Sequence, residues 1–385
     1  MLGAVPDAVP EPAVAPPPGH PRFALFDGLR AIAAFSIVLT HASGITTFGA
    51  TDDVIGPLTA RLNAGVAAFF VISGFLLYRP FVLARLGDRP APGTGRYLWR
   101  RVLRIVPAFW MAMIVLELWP GLNNFPGDEP WRYFLFGQNL DRFTLDGGIG
   151  PAWSLCIEAE FYVVLPLWAY AARRLRPSPR TELAAFAALA LASVVARTLV
   201  HRHAPVSPLS YTLPLNLFWF APGLMLAVLS AQWQASGTKP QAARWLGDHV
   251  WVCWVAAFAV LVLSANVGLP RDLLFRYSDR TWLAEHLLYG LFGALLVLPG
   301  VLGDGHRGWV QTFLGHPVMA WLGLISYGVF LYHLPVAPKL LGIQDDLPLP
   351  FVAYTVALTA VAIAYGAASY YLLERPILKF KDARR

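Results

Sequence analysis

Long apolar runs separated by short polar segments dominate the hydrophobic pattern of this chain. An α-helix needs about 20 mostly apolar residues to cross the hydrocarbon core of a bilayer, and ten runs come close to that length. They cover approximately residues 25–45, 63–83, 102–119, 152–171, 183–201, 210–231, 249–267, 283–302, 316–338 and 350–373. The pattern predicts an all-α, polytopic membrane protein with about ten transmembrane helices.

The charges of the connecting segments predict how these helices are oriented. Residues 79–104 hold seven arginines and one aspartate, and residues 173–182 hold four arginines and one glutamate. Residues 120–151, which connect the helices on the other side, hold four acidic residues and two arginines. Because basic loops stay on the cytoplasmic side, we expect both termini to be cytoplasmic and the protein to reside in the cytoplasmic (inner) membrane.

The overall composition agrees with a membrane protein, since 57% of the 385 residues are hydrophobic and only 14% are charged. The net charge of +7 would suit a nucleic-acid partner. The basic residues lie in short runs between apolar segments, however, so no nucleic-acid partner is expected. Cys156 and Cys253 fall inside apolar runs without metal-type spacing, which argues against a disulfide framework or a cysteine metal site.

The two ends of the chain differ from its apolar body. Residues 1–22 are rich in Pro and Ala and lack the basic and apolar regions of a signal peptide, so a disordered tail is expected there. Residues 23–377 form one predicted transmembrane domain, and residues 378–385 a basic cytoplasmic tail. No separate soluble domain is predicted, so any chemistry must take place in or at the helix bundle.

The first predicted helix carries three ionisable residues, Asp27, Arg30 and His41. Arg30 and His41 are eleven residues apart, which places them on one helix face and about 16 Å apart along the axis. Asp27 lies near the same face, one turn closer to the predicted cytoplasmic end. Ionisable groups at membrane depth usually line a cavity or a pathway. The alternative is that Asp27 and Arg30 anchor the helix at the interface and that His41 makes an interhelical hydrogen bond.

Arginines cluster at the predicted cytoplasmic start of the third helix. Arg101 and Arg104 share one helix face, whereas Arg100 shares another with Arg96. Guanidinium groups bind phosphate through paired hydrogen bonds, so this cluster suits a polyanionic ligand. A positive-inside signal that binds lipid headgroups would explain it equally well.

Polar residues also interrupt the second and fourth predicted helices. Ser73 and Gly74 allow close contact with another helix or with a ligand. Glu158 and Glu160 lie near the outer end of the fourth helix. A buried carboxylate there would serve as an acid, as a base or as the group that orients His41; the alternative is that both carboxylates face the outer aqueous phase.

The ninth predicted helix carries Tyr327 and His333, and Pro335 is expected to kink it. Intramembrane His, Glu and Arg residues would also suit a proton relay. A transporter or flippase of a lipid-linked sugar, or of a proton-coupled solute, is therefore the alternative to an enzyme. The absence of a visible internal repeat and the cytoplasmic arginine cluster count against it.

Six motifs in the same order resemble those of the acyltransferase-3 family of integral-membrane O-acyltransferases, which includes polysaccharide O-acetylases and macrolide acyltransferases. The similarity extends from about residue 24 to residue 377. The motifs are DGLR (27–30) followed by His41, FFVISGFLL (69–77), RRVLRIVP (100–107), WSLCIEAEFY (153–162), SYGVFLYHLP (326–335) and ERP (374–376).

The chain also departs from the family pattern. Cys156 stands where the family usually has Ser, Ala159 where it often has Glu, and Glu160 where it often has Gln. These departures favour Glu158 as the functional carboxylate. The chain ends soon after the tenth predicted helix, so it resembles the stand-alone members rather than those with an added soluble domain.

The resemblance implies a membrane O-acyltransferase that moves a short, acetyl-like acyl group from acyl-CoA to a hydroxyl of a carbohydrate, glycolipid or macrolide-like acceptor, and acetyl-CoA is the expected donor. His41 is the expected general base, oriented by Glu158 or Asp27, with an acyl-histidine intermediate as the less favoured variant. No metal is expected. The predicted donor-binding residues are Arg30, Arg100, Arg101 and Arg104, and the predicted acceptor-binding residues are Trp153, Ser73, Tyr327 and His333.

Overall fold

Ten long helices form the body of the protein in the computed structural model, which describes residues 25–51, 53–271, 277–303, 308–344 and 350–382. Within these residues there is no β-strand, only an isolated bridge between Asn123 and Gly148. The predicted all-α fold is therefore confirmed, and each of the ten predicted segments overlaps one helix. The helices are α1 (Leu25–Ile45), α2 (Gly65–Leu86), α3 (Thr94–Leu118), α4 (Trp153–Leu175), α5 (Pro179–His203), α6 (Leu213–Ser236), α7 (Trp251–Asn266), α8 (Asp279–Leu302), α9 (Pro317–Val336) and α10 (Pro350–Ser369).

Length and composition qualify most of these helices, but not all of them, as membrane-spanning. Eight described helices are long and apolar enough to cross a bilayer. A ninth crossing results if the short helix Gln241–Asp248 and α7, bent by 82° at their junction, are taken as one span. The predicted span 102–119 does not qualify, because α3 carries four arginines in its first half and Glu117 near its end.

The directions of the helices indicate that α3 nevertheless passes through the bundle. Gly74 of α2 faces Gly223 of α6, and further along both helices Arg79 hydrogen-bonds Ser230 at 3.0 Å, so α2 and α6 run parallel. Loops do not cross the hydrocarbon layer, so successive crossing helices alternate in direction. A parallel α2 and α6 need an odd number of crossings between them, which α3, α4 and α5 supply.

Large apolar side chains on the outside of the bundle agree with a lipid surround. Leu191, Val195 and Leu199 of α5 are all exposed and follow one another at four-residue spacing on one face. Val163 and Leu167 of α4 are exposed with the same spacing. Soluble monomers rarely expose apolar surface in such continuous rows, so the protein is a multi-pass membrane protein.

Helix α2 lies at the centre and packs against α1, α6 and α8. Its close approach to α6 depends on glycine, because a Cβ atom added at Gly74 would lie 2.6 Å from the carbonyl oxygen of Phe220. A Cβ atom added at Gly223 would lie closer still to the carbonyl oxygen of Val71. The expectation that Gly74 permits a close helix contact is thus confirmed, and the partner is α6.

The starts of α1 and α3 meet the end of α10 at one end of the bundle, which we call the basic end. Arg104 of α3 forms an ion pair of 3.4 Å with Glu374, in the turn of π-helix that follows α10. The indole nitrogen of Trp99 donates to the carbonyl oxygen of Phe380 at 3.4 Å. That the basic end is cytoplasmic stays a prediction from loop charge. The predicted tail 1–22 and the last three residues of the predicted tail 378–385 lie outside the described residues.

Candidate active site

A cavity of about 250 Å³ lies among α1, α2, α3, α4 and α9. Along α2 its lining runs from Val66 to Leu77, a distance of roughly 16 Å at 1.5 Å per residue. The cavity therefore extends through much of the thickness of the bundle. Its apolar lining comes mainly from α2. The polar lining residues are Arg30, Ser73, Arg101, Arg104, Ser154, Glu158, Tyr162, Ser326 and Tyr327.

Three arginines line the cavity toward the basic end. Arg30 pairs with Asp27 of its own helix at 3.0 Å, and Arg104 pairs with Glu374 at 3.4 Å. Arg101 has no carboxylate within ion-pair distance among the described residues. It is therefore the guanidinium most available to an added anion.

Helix geometry separates the predicted donor-binding arginines into two sets. Arg30, Arg101 and Arg104 all contribute to the cavity wall, as their predicted shared role requires. Arg100 lies on another face of α3 and does not line the cavity. Its predicted part in donor binding is thus not supported by its position.

Glu158 belongs to a polar group that joins α2, α3 and α4 across the cavity. Its carboxylate accepts a hydrogen bond from the Ser73 hydroxyl and interacts with the hydroxyl of Tyr162, one turn further along α4. The guanidinium of Arg101 lies 5.9 Å from the centre of the Tyr162 ring, within the range of a cation–π contact. The group thus places the Glu158 carboxylate and the Arg101 guanidinium, which forms no ion pair among the described residues, in the wall of one cavity.

Two other predicted residues at the start of α4 do not line the cavity. Glu160 accepts a hydrogen bond of 2.7 Å from the backbone nitrogen of Leu213 and so holds the start of α6. The ring of Trp153 packs edge-on against Tyr211, with ring centres 5.5 Å apart. Trp153 therefore supports the wall of the site next to the cavity-lining Ser154, and its predicted contact with the acceptor has no support from this position.

His41 and His333 lie together just beyond the cavity. The Nδ1 atom of His41 is 2.9 Å from the Nε2 atom of His333, and His333 is fully buried. On α9, His333 lies on the same face as the cavity-lining residues Ser326 and Phe330, which precede it by seven and three positions. The histidine pair therefore continues the polar face of the cavity by one turn, away from the basic end.

The structure gives His41 a partner that differs from the expected one. The expected contact with Glu158 is not found among the described residues, because α4 packs mainly against α2 while α1 packs against α9. Asp27, the other candidate to orient His41, forms an ion pair with Arg30 at the basic end. His333, expected to bind the acceptor, occupies the orienting position instead.

The remaining predicted residue, Tyr327, lies in the cavity wall, where its hydroxyl donates to the carbonyl oxygen of Ile105 at 3.0 Å. Ser154 and Tyr162, which are not among the residues predicted from the sequence, also line the cavity. A signal for both was available: they lie four residues before and four residues after Glu158, and such spacing places all three side chains on one helix face.

A family model described as an acyltransferase domain matches residues 23–368. The chain belongs to the acyltransferase-3 family. Membership confirms the predicted enzyme class, so the protein is an acyltransferase, and it decides against the transporter alternative.

Acyltransferase-3 relatives with curated names cover most of this chain. The exopolysaccharide production protein ExoZ of Rhizobium meliloti is 29% identical over 332 residues, which are 84% of this chain and 91% of the relative. The acyltransferase MdmB of Streptomyces mycarofaciens is 25% identical over 96% of this chain and 95% of its own length.

A third relative is longer than this chain. The peptidoglycan O-acetyltransferase OatA of Listeria monocytogenes is 22% identical over 92% of this chain, but the matched part is only 55% of the relative. No solved structure matches the chain. Among the described residues, no group of three or more His, Cys, Asp or Glu side chains is placed to hold a metal ion, and the expectation of a metal-free reaction stays a prediction.

Proposed function

We propose that this acyltransferase moves a short acyl group from acyl-CoA, preferably acetyl-CoA, to a hydroxyl group of a carbohydrate acceptor at the cytoplasmic membrane. One observation carries the proposal: a single intramembrane cavity has three arginines toward one end and a histidine pair just beyond the other. A donor held by its phosphates at the basic end would extend its thioester toward the histidines.

The arginines support a phosphorylated donor. Arg101 lacks a carboxylate partner among the described residues, and Arg30 and Arg104 lie beside it in the cavity wall. Guanidinium groups recognise phosphate by paired hydrogen bonds. The cavity, at about 250 Å³, is smaller than the roughly 300–1,000 Å³ of pockets that enclose whole ligands. Only the narrow pantetheine arm of CoA would therefore enter it, while the nucleotide stays outside at the basic end.

The polar group around Glu158 would hold the arm of the donor. The arm carries two amide groups, and buried amides need hydrogen-bond partners. The Ser73 and Tyr162 hydroxyls donate to the Glu158 carboxylate and hold it in place, and its remaining lone pairs can accept from an amide N–H of the arm. Glu158 thus acts on the donor in this proposal, and not as the group that orients His41.

His41 would act as general base on the acceptor. It takes the proton from the acceptor hydroxyl while that oxygen attacks the carbonyl carbon of the thioester. The carbon–sulfur bond then breaks, and the CoA thiolate leaves with the proton that His41 returns. One acceptor hydroxyl and one acyl-CoA thus give one ester and one free CoA thiol, without an acyl-enzyme intermediate.

The names of two relatives support a carbohydrate acceptor. One is named for exopolysaccharide production and the other for O-acetylation of peptidoglycan. A cell-envelope glycan or glycolipid is therefore the preferred acceptor, and a macrolide-like acceptor is the second choice that the family resemblance allows.

The test uses the purified protein in lipid nanodiscs with acetyl-CoA radiolabelled in the acetyl group. Oligosaccharides, peptidoglycan fragments and glycolipids serve as acceptors. We expect label to appear on one acceptor class as an ester that alkali releases, together with one free CoA thiol per ester. The His41→Ala variant is the control and should form no ester. Binding of acetyl-CoA without transfer to any hydroxyl acceptor, or transfer unaffected by His41→Ala, would overturn the proposal.

A further inference from the structure

The two ring nitrogens of His333 have chemically different neighbours. Its Nδ1 atom lies 2.8 Å from the carbonyl oxygen of Phe330 and 3.2 Å from that of Val329. Carbonyl oxygens can only accept hydrogen bonds, so Nδ1 of His333 must carry a hydrogen.

The surroundings of His333 keep its ring neutral. The side chain is 0% exposed, and no carboxylate lies within ion-pair distance among the described residues. The groups next to its ring are the imidazole of His41 and the apolar ring of Phe330, whose centre is 6.1 Å away. A buried charge without a counter-ion is strongly unfavourable. With its single hydrogen on Nδ1, neutral His333 presents a lone pair at Nε2.

That lone pair is the side-chain acceptor next to His41, whose ring also has a hydrogen bond with the backbone of Ile37, one turn earlier on α1. The atom 2.9 Å from Nε2 of His333 is Nδ1 of His41, which must therefore donate. A neutral imidazole has only one N–H group, so the Nε2 atom of His41 is left unprotonated. We propose that His333 is a positioning residue that fixes His41 in the Nδ1–H tautomer and thereby reserves its Nε2 atom for the proton of the acceptor hydroxyl.

This inference rests on the proposed function and assigns the atom that performs its central step. When Nε2 of His41 takes the acceptor proton, the new imidazolium still donates through Nδ1–H to His333, and the same Nε2–H later passes to the leaving thiolate. Carboxylates commonly fix the tautomer of such a histidine. At membrane depth a carboxylate would carry a buried charge between turnovers, whereas a second imidazole supplies the acceptor without one.

Three substitutions at one position separate the contact with His41 from the contact with the backbone. His333→Gln places an oxygen near the position of Nε2, so it can still accept from His41. His333→Asn reaches the Phe330 carbonyl but not His41, and His333→Leu retains bulk without either hydrogen bond. If His333 fixes the tautomer, kcat stays within about tenfold of wild type for Gln and falls on the order of 10²-fold or more for Asn and Leu. The KM values for donor and acceptor should stay within about threefold in all three variants.

A purely structural role predicts a different pattern. The Asn and Gln variants would then lose folded protein to similar extents, and kcat per folded molecule would be the same for both. Equal kcat values for the Asn and Gln variants would therefore overturn the inference.

A spectroscopic measurement provides a readout that does not depend on activity. Nitrogen-15 NMR of ring-labelled histidine, with His41 assigned from the signals lost in His41→Gln, should show a protonated Nδ1 and an unprotonated Nε2 in the wild type. In His333→Leu the hydrogen should move, wholly or in part, to Nε2. A protonated Nε2 on His41 of the neutral wild-type enzyme would refute the assignment.

The same variants separate this inference from the proposed function. If His41→Gln transfers acyl groups like the wild type, the proposed general base fails together with the positioning role. If His41→Gln is inactive while His333→Leu turns over normally, only the role of His333 fails.

Discussion

Two groups of charged residues, partly or fully buried, lie in this bundle, and they are arranged in opposite ways. The cavity group, formed by Arg30, Arg101, Arg104 and Glu158, lines an open volume. A second group, which we call the α5/α8 cluster, consists of Arg61, Arg197 and Glu285. It joins the end of α5 and the start of α8 to the segment before α2.

Side chains in the α5/α8 cluster bind one another and the backbone. Arg197 donates to the carbonyl oxygen of Ser210 at 2.7 Å and to Oδ1 of Asn216 at 3.1 Å. Arg61 lies 3.6 Å from Glu285 and donates to a backbone carbonyl oxygen at 3.3 Å. These bonds tie helix ends together, so we interpret the cluster as structural.

The comparison shows that burial of charge does not by itself identify a site. Both groups hold arginine and glutamate inside the bundle, where a charge is costly unless it is paired or hydrogen-bonded. The difference is whether the hydrogen-bonding groups point at protein or at empty volume. Arg101 lines a cavity and has no carboxylate partner in the described part of the chain, so it is arranged for a ligand, whereas Arg197 donates to protein oxygens.

The largest contrast is expected between one histidine from each region. His41→Ala should lower kcat about 10²- to 10⁴-fold, the usual contribution of a general base. His286 is 2% exposed and stacks on Trp219 with ring centres 4.7 Å apart, next to the α5/α8 cluster. Its replacement in His286→Leu should leave acyl transfer per folded molecule unchanged. Initial rates normalised to the amount of monodisperse protein test both expectations. Equal losses of kcat in His41→Ala and His286→Leu would contradict the difference between the two regions.

A smaller contrast is expected between two arginines. Arg101→Ala should weaken acyl-CoA binding about 10- to 100-fold, because a hydrogen bond to a charged group contributes roughly 1.5–3 kcal/mol. The KM of the acceptor should stay the same. Arg197→Ala should instead lower the thermal midpoint of unfolding, since it removes the donor to Oδ1 of the buried Asn216 and one of the two hydrogen bonds to the carbonyl oxygen of Ser210. Titration calorimetry measures the affinity for acyl-CoA, and thermal melts measure the unfolding midpoint. Acyl-CoA binding that is weakened in Arg197→Ala but not in Arg101→Ala would contradict the different roles of the two arginines.

The smallest contrast concerns two serines. Ser73→Ala removes the hydrogen bond to Glu158 and should raise the dissociation constant of acyl-CoA about two- to tenfold, since a hydrogen bond contributes about 1 kcal/mol. Ser264 of α7 donates to the carbonyl oxygen of Leu261 in its own helix and does not line the cavity, so Ser264→Ala should have no effect on binding. Equal affinities of the Ser73→Ala variant and the wild type would remove Ser73 from the donor site.

Local sequence pattern predicted much of the site as well as the fold. The spacing of Arg101 and Arg104 placed them on one helix face, apart from Arg100, and both line the cavity. The eleven-residue step from Arg30 to His41 likewise placed a donor-side and an acceptor-side group on one helix. Such inferences succeed because helix periodicity depends only on neighbouring residues.

Contacts between helices that are far apart in the sequence could not be predicted from helix periodicity. The partner of His41 is 292 residues away in the chain, and no periodicity relates two residues so far apart. The expected orienting group, Glu158, was excluded only by the packing of α4 on α2. The α5/α8 cluster could not be predicted from the sequence. Its members lie near the ends of predicted helices, where a charged residue is usually an interfacial anchor.

The sequence by itself determined the membrane-spanning character, the positions of the helices and the family, because each depends on local hydrophobicity, spacing and motif. Only the tertiary structure decided which helices are neighbours. That choice depends on shape: Gly74 and Gly223 let α2 and α6 approach closely, while α9 takes the place beside α1. Because that packing brings His333 to His41 and leaves Arg101 facing a cavity, it is the packing that turns scattered polar residues into a candidate reaction path.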